Sequence, residues 1–242
     1  PESIGRAYMM NERKASVLLD LDDTILDFKK AERIAISKTF LGIGIEPTDE
    51  VVSRYSEINI MQWEKLELGL VTREDALRDR FDILFKEIGV DYPGIEAERT
   101  YEKLLEIGHY FMPGAEETLR AIYEKYDLYI VSNGLASVQD SRLRSAGISY
   151  MFKDIFISER IGFQKPDREF FDRCFARIPG FERGRSVIVG DSLTSDIRGG
   201  MNAGITTCWY DPYSKPLRDG IVPDYRITAM PELPALLERL FG

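Results

Sequence analysis

SVLLDLDDTILDF, residues 16–28, sets a short apolar run directly against three carboxylates, Asp20, Asp22 and Asp23. Val17, Leu18 and Leu19 read as a strand covered on both faces, as in a parallel sheet. Crowding like charges at its end costs about 4 kcal/mol per unit-charge pair at 4 Å and an effective dielectric of 20. A chain tolerates this where cations sit among the carboxylates, or where each acid is consumed by a turn or a helix cap. The remaining sequence decides between these readings.

Four further apolar runs read as strands: Leu128–Val131, Ile155–Ile157, Val187–Val189 and Ile205–Tyr210. Helical spacing lies between the last of them: Phe170, Cys174 and Ile178 beside Phe171 and Phe175, then Leu193, Ile197 and Met201. Strands alternating with helices imply an α/β fold with a doubly wound parallel sheet. From about Lys30 to Phe111 no strand pattern interrupts the chain. Val51, Tyr55 and Ile58 mark one helix there, and Tyr101, Leu104 and Leu105 another. Thr72 with Asp75 resembles a capping box, Leu77, Phe81, Leu84 and Ile88 give the following helix an apolar face, and Gly89 stops it. The expected organisation is a Rossmann-like core of residues 1–29 and 112–242, interrupted by an all-helical cap of residues 30–111 that returns to the sheet near Pro113–Gly114.

Composition narrows the function classes. The 242 residues are 44% apolar and 30% charged, ordinary for a globular protein. No window approaches the roughly 18 apolar residues needed to span a membrane. The N-terminal PESIGRAYMMNERKAS has no apolar core of signal-peptide type, so secretion is not expected. With 32 Lys plus Arg against 41 Asp plus Glu, the net charge of −9 and the lack of a basic block argue against a nucleic-acid polymer as partner. A small anionic substrate remains compatible, provided that something local offsets the charge. Cys174 and Cys208 stand far apart without CxxC spacing, which fits buried thiols in a reduced cytoplasmic setting. His109 is the single histidine, so multi-histidine metal sites are excluded and a Ser-His-Asp triad is not expected.

In open α/β sheets ligands sit outside the carboxyl ends of the strands. The first strand ends in Asp20, Asp22 and Thr24, and the second in Ser132–Asn133–Gly134. The third is followed by Lys165–Pro166, and the fourth runs into GDSLTSD, Gly190 to Asp196. Each segment alone has a plain structural use. DLDDT is able to cap a helix, SNG is a turn tripeptide, Pro166 is a helix-start residue, and Thr194 or Ser195 is an N-cap candidate. Hydroxyl, lysine and carboxylates in this order, all at the same end of successive strands, point to one shared site.

DLDDT, SNG, Lys165 and GDSLTSD together resemble the four signature motifs of the haloacid-dehalogenase-like superfamily of phosphotransferases, over the whole core from Val17 to Tyr210. The helical stretch between the first two motifs is similar to the family's cap. The resemblance implies Asp20 as a nucleophile forming an aspartyl-phosphate, which splits one hard displacement into two. It implies Asp22 as the acid that protonates the leaving oxygen and then the base that activates water. The Asp20 side chain, the Asp22 backbone carbonyl and Asp191 are then the ligands of Mg²⁺, whose preference for hard oxygen donors suits this rim. Asp196 is expected to orient a metal-bound water or Lys165. Ser132, the Asn133 backbone N–H and Thr24 form the phosphate-binding group, with Thr24 also orienting Asp22, while Lys165 counters the charge on Asp20 and phosphate. Asp23 is the variable position of its motif and is expected to point elsewhere. Gly199 and Gly200 are expected to permit close helix–strand packing.

NGLASVQDSRLRSAGI, FKDIFISERIGFQKPDREFF and GGMNAGITTCWYDP further resemble the branch of small nucleotidases acting on pyrimidine nucleoside monophosphates, and MQWEKLELGLVTREDALRDRF resembles its cap. The resemblance implies a small phosphorylated metabolite as partner, a nucleoside 5′-monophosphate before a sugar phosphate. A base needs a flat stacking surface, for which Trp63, Tyr55, Phe81 and Phe111 are candidates. Helical spacing assigns Tyr55 and Phe81 instead to the cap's own core, leaving Trp63 as the pocket candidate. Competing readings are a phosphomutase, a metal-independent 2-haloacid dehalogenase and a non-catalytic phosphate-binding scaffold. Asp22 and Asp191 together argue against the dehalogenase. Retention of nucleophile, acid and lysine argues against the scaffold. Oligomeric state has no signature in the sequence.

Overall fold

The computed structural model describes residues 14–218 and 220–242. The N-terminal stretch read above for a signal peptide lies outside the described residues up to position 13. One six-stranded sheet contains β1 (Ser16–Leu19), β2 (Asp127–Ser132), β3 (Phe152–Ile157), β4 (Ser186–Gly190), β5 (Thr206–Tyr210) and β6 (Tyr225–Ile227). All neighbours are parallel, in the order β3-β2-β1-β4-β5-β6. The five expected strands are present. β6 was not expected, because three residues behind Pro223–Asp224 carry no period of their own.

The register sets the site. Leu19 pairs with Ile130 on one side and Val189 on the other, so the residues following β1, β2 and β4 emerge along one rim. The strand order reverses around β1 and β4, the switch point at which open α/β sheets leave a crevice. Side-chain alternation sends Val17 and Leu19 to one face and Leu18 to the other.

The helices are α1 (Phe28–Gly42), α2 (Asp49–Glu67), α3 (Arg73–Ile88), α4 (Gly94–Leu105), α5 (Ala115–Ile122), α6 (Ala136–Ser145), α7 (Ser158–Ile161), α8 (Arg168–Arg177), α9 (Arg198–Ala203) and α10 (Leu233–Phe241). Val17, Leu19, Leu128, Ile130, Val187 and Val189 pack with Leu119 of α5, Leu143 of α6 and Leu233, Leu236 and Leu237 of α10. Leu18, Tyr129, Val131 and Ile188 pack with Phe170, Phe171, Cys174 and Phe175 of α8 on the opposite face. Both faces are therefore covered, and each fully buried aliphatic or aromatic side chain contributes about 1.5–3 kcal/mol relative to exposure. Gly200 admits α9 to the sheet: a Cβ there would lie 2.5 Å from Ile188 Cγ2 and 2.7 Å from Thr207 Cγ2. At Gly199 a Cβ would meet Phe171 at 2.6 Å.

Between β1 and α5 the chain is helical, as expected. Ala35, Ile36 and Phe40 of α1, Tyr55 and Ile58 of α2, Phe81, Leu84 and Phe85 of α3, and Tyr101 of α4 form a separate apolar cluster. Tyr55 lies 5.0 Å from Phe81 and 5.7 Å from Tyr101 between ring centroids. The Thr72 cap and the left-handed Gly89 end of α3 are as read. Asp27, unassigned from sequence, is the N-cap of α1, accepting from Lys30 N at 2.9 Å.

Several local readings are corrected. Pro166 does not start a helix: α8 begins at Arg168 behind Asp167, and the Lys165–Pro166 peptide is cis. Ser192, rather than Thr194 or Ser195, caps the turn of Leu193–Ile197, because its hydroxyl reaches Ser195 N. Met201 is 49% exposed and does not continue the Leu193–Ile197 face. The intervening turn is a π turn, which rotates the following residues off that face. No helix of the described residues is long and apolar enough to cross a membrane.

Candidate active site

A cleft of about 650 Å³ separates the carboxyl rim of the sheet from the helical cap. Asp20, Asp22, Ser132, Asn133, Lys165, Asp191 and Asp196 line it from the core, and Trp63 from α2. Thr24, counted above with the phosphate-binding group, does not line the cleft.

Lys165 is the organising cation. Its fully buried ammonium donates to Asp20 Oδ1 at 2.7 Å, Asp196 Oδ1 at 2.7 Å and the Val131 carbonyl at 2.8 Å, which uses all three hydrogens. The loop carrying it is held by Asn133, whose side chain donates to Lys165 O at 2.8 Å and accepts from Lys165 N at 2.9 Å. The Asn133 side chain thus positions the lysine. Burial pulls the ammonium down, but Asp196 and Asp20 outweigh it and hold its pKa above the usual range.

The carboxylates outnumber this cation. Burial raises Asp20 well above the ordinary carboxylate range, opposed by Lys165 and reinforced by Asp196, Asp191 and Asp22. Asp191 is pushed up to about 7, chiefly by burial and then by Asp196 and Asp23, with Lys215 and Lys29 opposing. Asp196 Oδ2 accepts from Ser192 N at 3.1 Å. Gly190 makes room for that carboxylate, since a Cβ there would sit 2.2 Å from it.

Thr24 is corrected in role as well as place. Its hydroxyl donates to Asp20 Oδ2 at 3.1 Å and accepts from Asp191 N at 3.1 Å, so it joins the ends of β1 and β4 and does not orient Asp22. Asp22 is held instead by α6. Arg142 Nη1 ion-pairs with its Oδ1, and Gln139 Nε2 donates to Oδ2 at 2.6 Å. Neither residue was singled out from sequence, although their i, i+3 spacing directly behind SNG places both on one helical face. Asp23 does not point elsewhere. It lines the cleft at a φ of 57° and accepts from Lys29 N at 3.2 Å.

Tyr55 and Phe81 are fully buried in the cap cluster, and the partly buried Phe111 bridges to Leu26 and does not line the cleft, so none of the three offers a stacking face there. Trp63 alone of the four borders the cleft, with the Arg73 guanidinium 5.8 Å from its ring centroid. Arg73 in turn donates to Asn133 O at 2.8 Å and Ser158 Oγ at 2.7 Å. Glu67 closes the far wall, accepting from Thr194 at 3.1 Å, and burial pushes it up to about 7. His109 is peripheral, with Nδ1 2.8 Å from Ile107 O.

Residues 17–210 match the model of the haloacid dehalogenase-like hydrolases. The chain belongs to this family of enzymes. It is 42% identical over 222 residues to YfnB of Bacillus subtilis strain 168, named as a HAD-hydrolase, covering 92% of this chain and 94% of YfnB. It is 33% identical to the pyrimidine 5′-nucleotidase PynA of Streptococcus pneumoniae, covering 92% of this chain and 94% of PynA. The pyrimidine 5′-nucleotidase YjjG of Escherichia coli is 30% identical, over 91% of this chain and 96% of its own. A crystal structure of YfnB bound to magnesium, described as revealing interdomain movement, superposes with a TM-score of 0.89 over 93% of this chain and 99% of that one.

Proposed function

We propose that the protein is a Mg²⁺-dependent phosphomonoester hydrolase that acts through an aspartyl-phosphate on Asp20, with pyrimidine nucleoside 5′-monophosphates as substrates. The observation that carries this reading is the convergence of three carboxylates, two buried and one half-buried, beside a single buried ammonium. Asp20, Asp191 and Asp196 each offer an oxygen within 4.8 Å of the others; of the three, Lys165 contacts Asp20 and Asp196, and Asp191 has only the exposed Lys215 at 3.8 Å. Oxygen-only donors fit a hard divalent cation. Asp20 and Asp191, with the Asp22 backbone carbonyl, would hold Mg²⁺; Asp196 would orient Lys165. Bound there, Mg²⁺ would supply positive charge that lets a phosphate dianion approach the carboxylates.

The chain's own residues account for the remaining chemistry. Asp20 attacks phosphorus, the bond to the nucleoside oxygen breaks, and Asp22 delivers a proton to that oxygen. Water then attacks the aspartyl-phosphate, Asp22 takes a proton from it, and the Asp20 carboxylate returns as inorganic phosphate departs. Ser132 and the Asn133 backbone N–H bind phosphate oxygens, and Lys165 offsets their charge. Trp63 is the stacking surface for the base. The helical block of residues 30–111 serves as the cap, and its closure shuts out bulk solvent and helps to define specificity. Buried free thiols at Cys174 and Cys208 suit a reducing, cytoplasmic setting.

Phosphate release from a panel of nucleotides and sugar phosphates, with Mg²⁺ or EDTA, tests the proposal. Fast, EDTA-sensitive hydrolysis of pyrimidine monophosphates is expected. Metal-independent turnover of 2-haloacids would replace it with the dehalogenase, and a preference for sugar phosphates would remove the nucleotide assignment.

A further inference from the structure

α6 carries a clasp outside the four signature motifs, within the stretch NGLASVQDSRLRSAGI. Gln139 Nε2 donates to Asp22 Oδ2 at 2.6 Å and to Ser132 Oγ at 2.9 Å, while its Oε1 accepts from Arg142 Nη1 at 3.1 Å. Chemistry fixes the amide's orientation, because a carboxylate only accepts and a guanidinium only donates. Arg142 is itself fully buried, donates from Nε to Gly108 O at 2.8 Å, and lies 5.7 Å from the Phe28 ring centroid. Ser132 Oγ accepts a second hydrogen bond, from Gly134 N at 3.1 Å. A hydroxyl has two acceptor lone pairs and one hydrogen. Both lone pairs are therefore occupied, and the hydrogen is left for an acceptor in the cleft.

We infer that Gln139 is a positioning residue that joins the two halves of the chemistry: it makes Ser132 a donor toward phosphate and sets the Asp22 carboxylate for proton transfer, with Arg142 as its anchor. Gly134 belongs to the device. A Cβ there would lie 2.3 Å from Gln139 Nε2, where glycine lets the amide reach both partners.

The inference rests on the phosphatase reading. Its test compares the parent with Gln139→Leu and Gln139→Glu on uridine 5′-monophosphate and on 4-nitrophenyl phosphate, whose leaving group needs no proton. In Gln139→Leu, kcat on the nucleotide should fall about 30-fold and inhibition by inorganic phosphate should weaken about tenfold, the loss of one hydrogen bond to a charged group. First-turnover release of 4-nitrophenolate at saturation should stay within about threefold, since acid catalysis is not required there. Gln139→Glu keeps the shape but takes the Ser132 hydrogen and repels Asp22, so it should weaken phosphate inhibition more than Gln139→Leu does. A purely structural glutamine predicts the reverse order, and that result would overturn the inference, as would equal losses on both substrates or none on either. If Gln139→Leu lacks a cooperative melting transition, Gly134→Ala displaces the amide without altering its chemistry and should give the same split. An active parent with silent variants defeats the clasp alone, whereas a parent inactive on both substrates removes the phosphatase reading and the clasp with it.

Discussion

Arg80 in the cap and Lys165 at the sheet rim are both buried, 3% and 1% exposed, and both face carboxylates. Arg80 forms a bidentate pair with Glu98 at 2.7 Å and takes Asn59 Oδ1 at 2.7 Å, and Asn59 passes its own amide hydrogen to Glu32 at 2.6 Å. Ser56 donates a further hydrogen bond to Glu32 at 2.7 Å. In the cap, one cation meets one paired carboxylate, and the second acid is satisfied by neutral donors. At the rim, one buried ammonium stands among Asp20 and Asp196, with Asp191 beyond its reach and faced only by the exposed Lys215 at 3.8 Å. The first arrangement pairs its charge internally, although Arg80 and Asn59 also border the cleft. The second leaves carboxylate charge that the buried ammonium does not meet, which is where the proposed Mg²⁺ would sit. Burial of charge therefore does not mark a functional site by itself; carboxylates that converge with less cation than they need are the better pointer.

The sharpest way to break this contrast is to neutralise the proposed nucleophile. Asp20→Asn should lower phosphate release by at least about a thousandfold while the thermal transition is kept or raised, since a crowded charge is removed; retained turnover would take Asp20 out of the chemistry. In the cap, Arg80→Met should cost about 3–5 kcal/mol in urea unfolding, because Glu98 is left buried and unpaired. The double variant Arg80→Met with Glu98→Leu should recover most of that loss. A similar cost for single and double variants would mean that the pair is not a closed unit.

Removing a carboxylate should stabilise the rim, whereas Glu98→Leu alone should destabilise the cap by leaving Arg80 buried and unpaired. Asp191→Asn in EDTA should stabilise the fold by about 1 kcal/mol through relief of like-charge repulsion, read from chemical denaturation. Destabilisation there would show that the rim is balanced after all. The smallest effect concerns Glu67, where cap meets rim. Its pKa is raised to about 7 by burial. A carboxyl raised on folding contributes stability below its unfolded pKa, and that contribution disappears as pH rises through the folded value. The Glu67 contribution should therefore decline by about 1 kcal/mol between pH 4.5 and 7, and Glu67→Gln should lessen the slope of that segment by this amount while the raised Asp191 and Asp20 keep the remainder.

Part of this site was legible before any coordinates. Asp20, Ser132, Lys165 and Asp191 stand immediately behind apolar runs or in short polar strings, where parallel register carries them to one edge. The cap aromatics were partly legible: helical spacing correctly sent Tyr55 and Phe81 inward. Thr24 was misread because a five-residue motif does not say which of two neighbouring acids its hydroxyl meets. Asp23 was misread because a left-handed residue redirects its side chain in a way no period announces. Gln139 and Arg142 went unnoticed because they sit on a helix whose alternation looks ordinary, and their partner Asp22 lies more than a hundred residues earlier.

The amino-acid order alone determined the alternation of strands and helices, the helical interruption after the first strand, and which residue types stand at the strand ends. Those follow from local periodicity and from the few backbone states each residue favours. Tertiary structure alone decided the pairing of those ends: which acid faces Lys165, which hydroxyl staples β1 to β4, and which helix grips Asp22. Hydrogen bonds of 2.6 to 3.1 Å depend on strand register and helix placement together, and neither is encoded within any single segment.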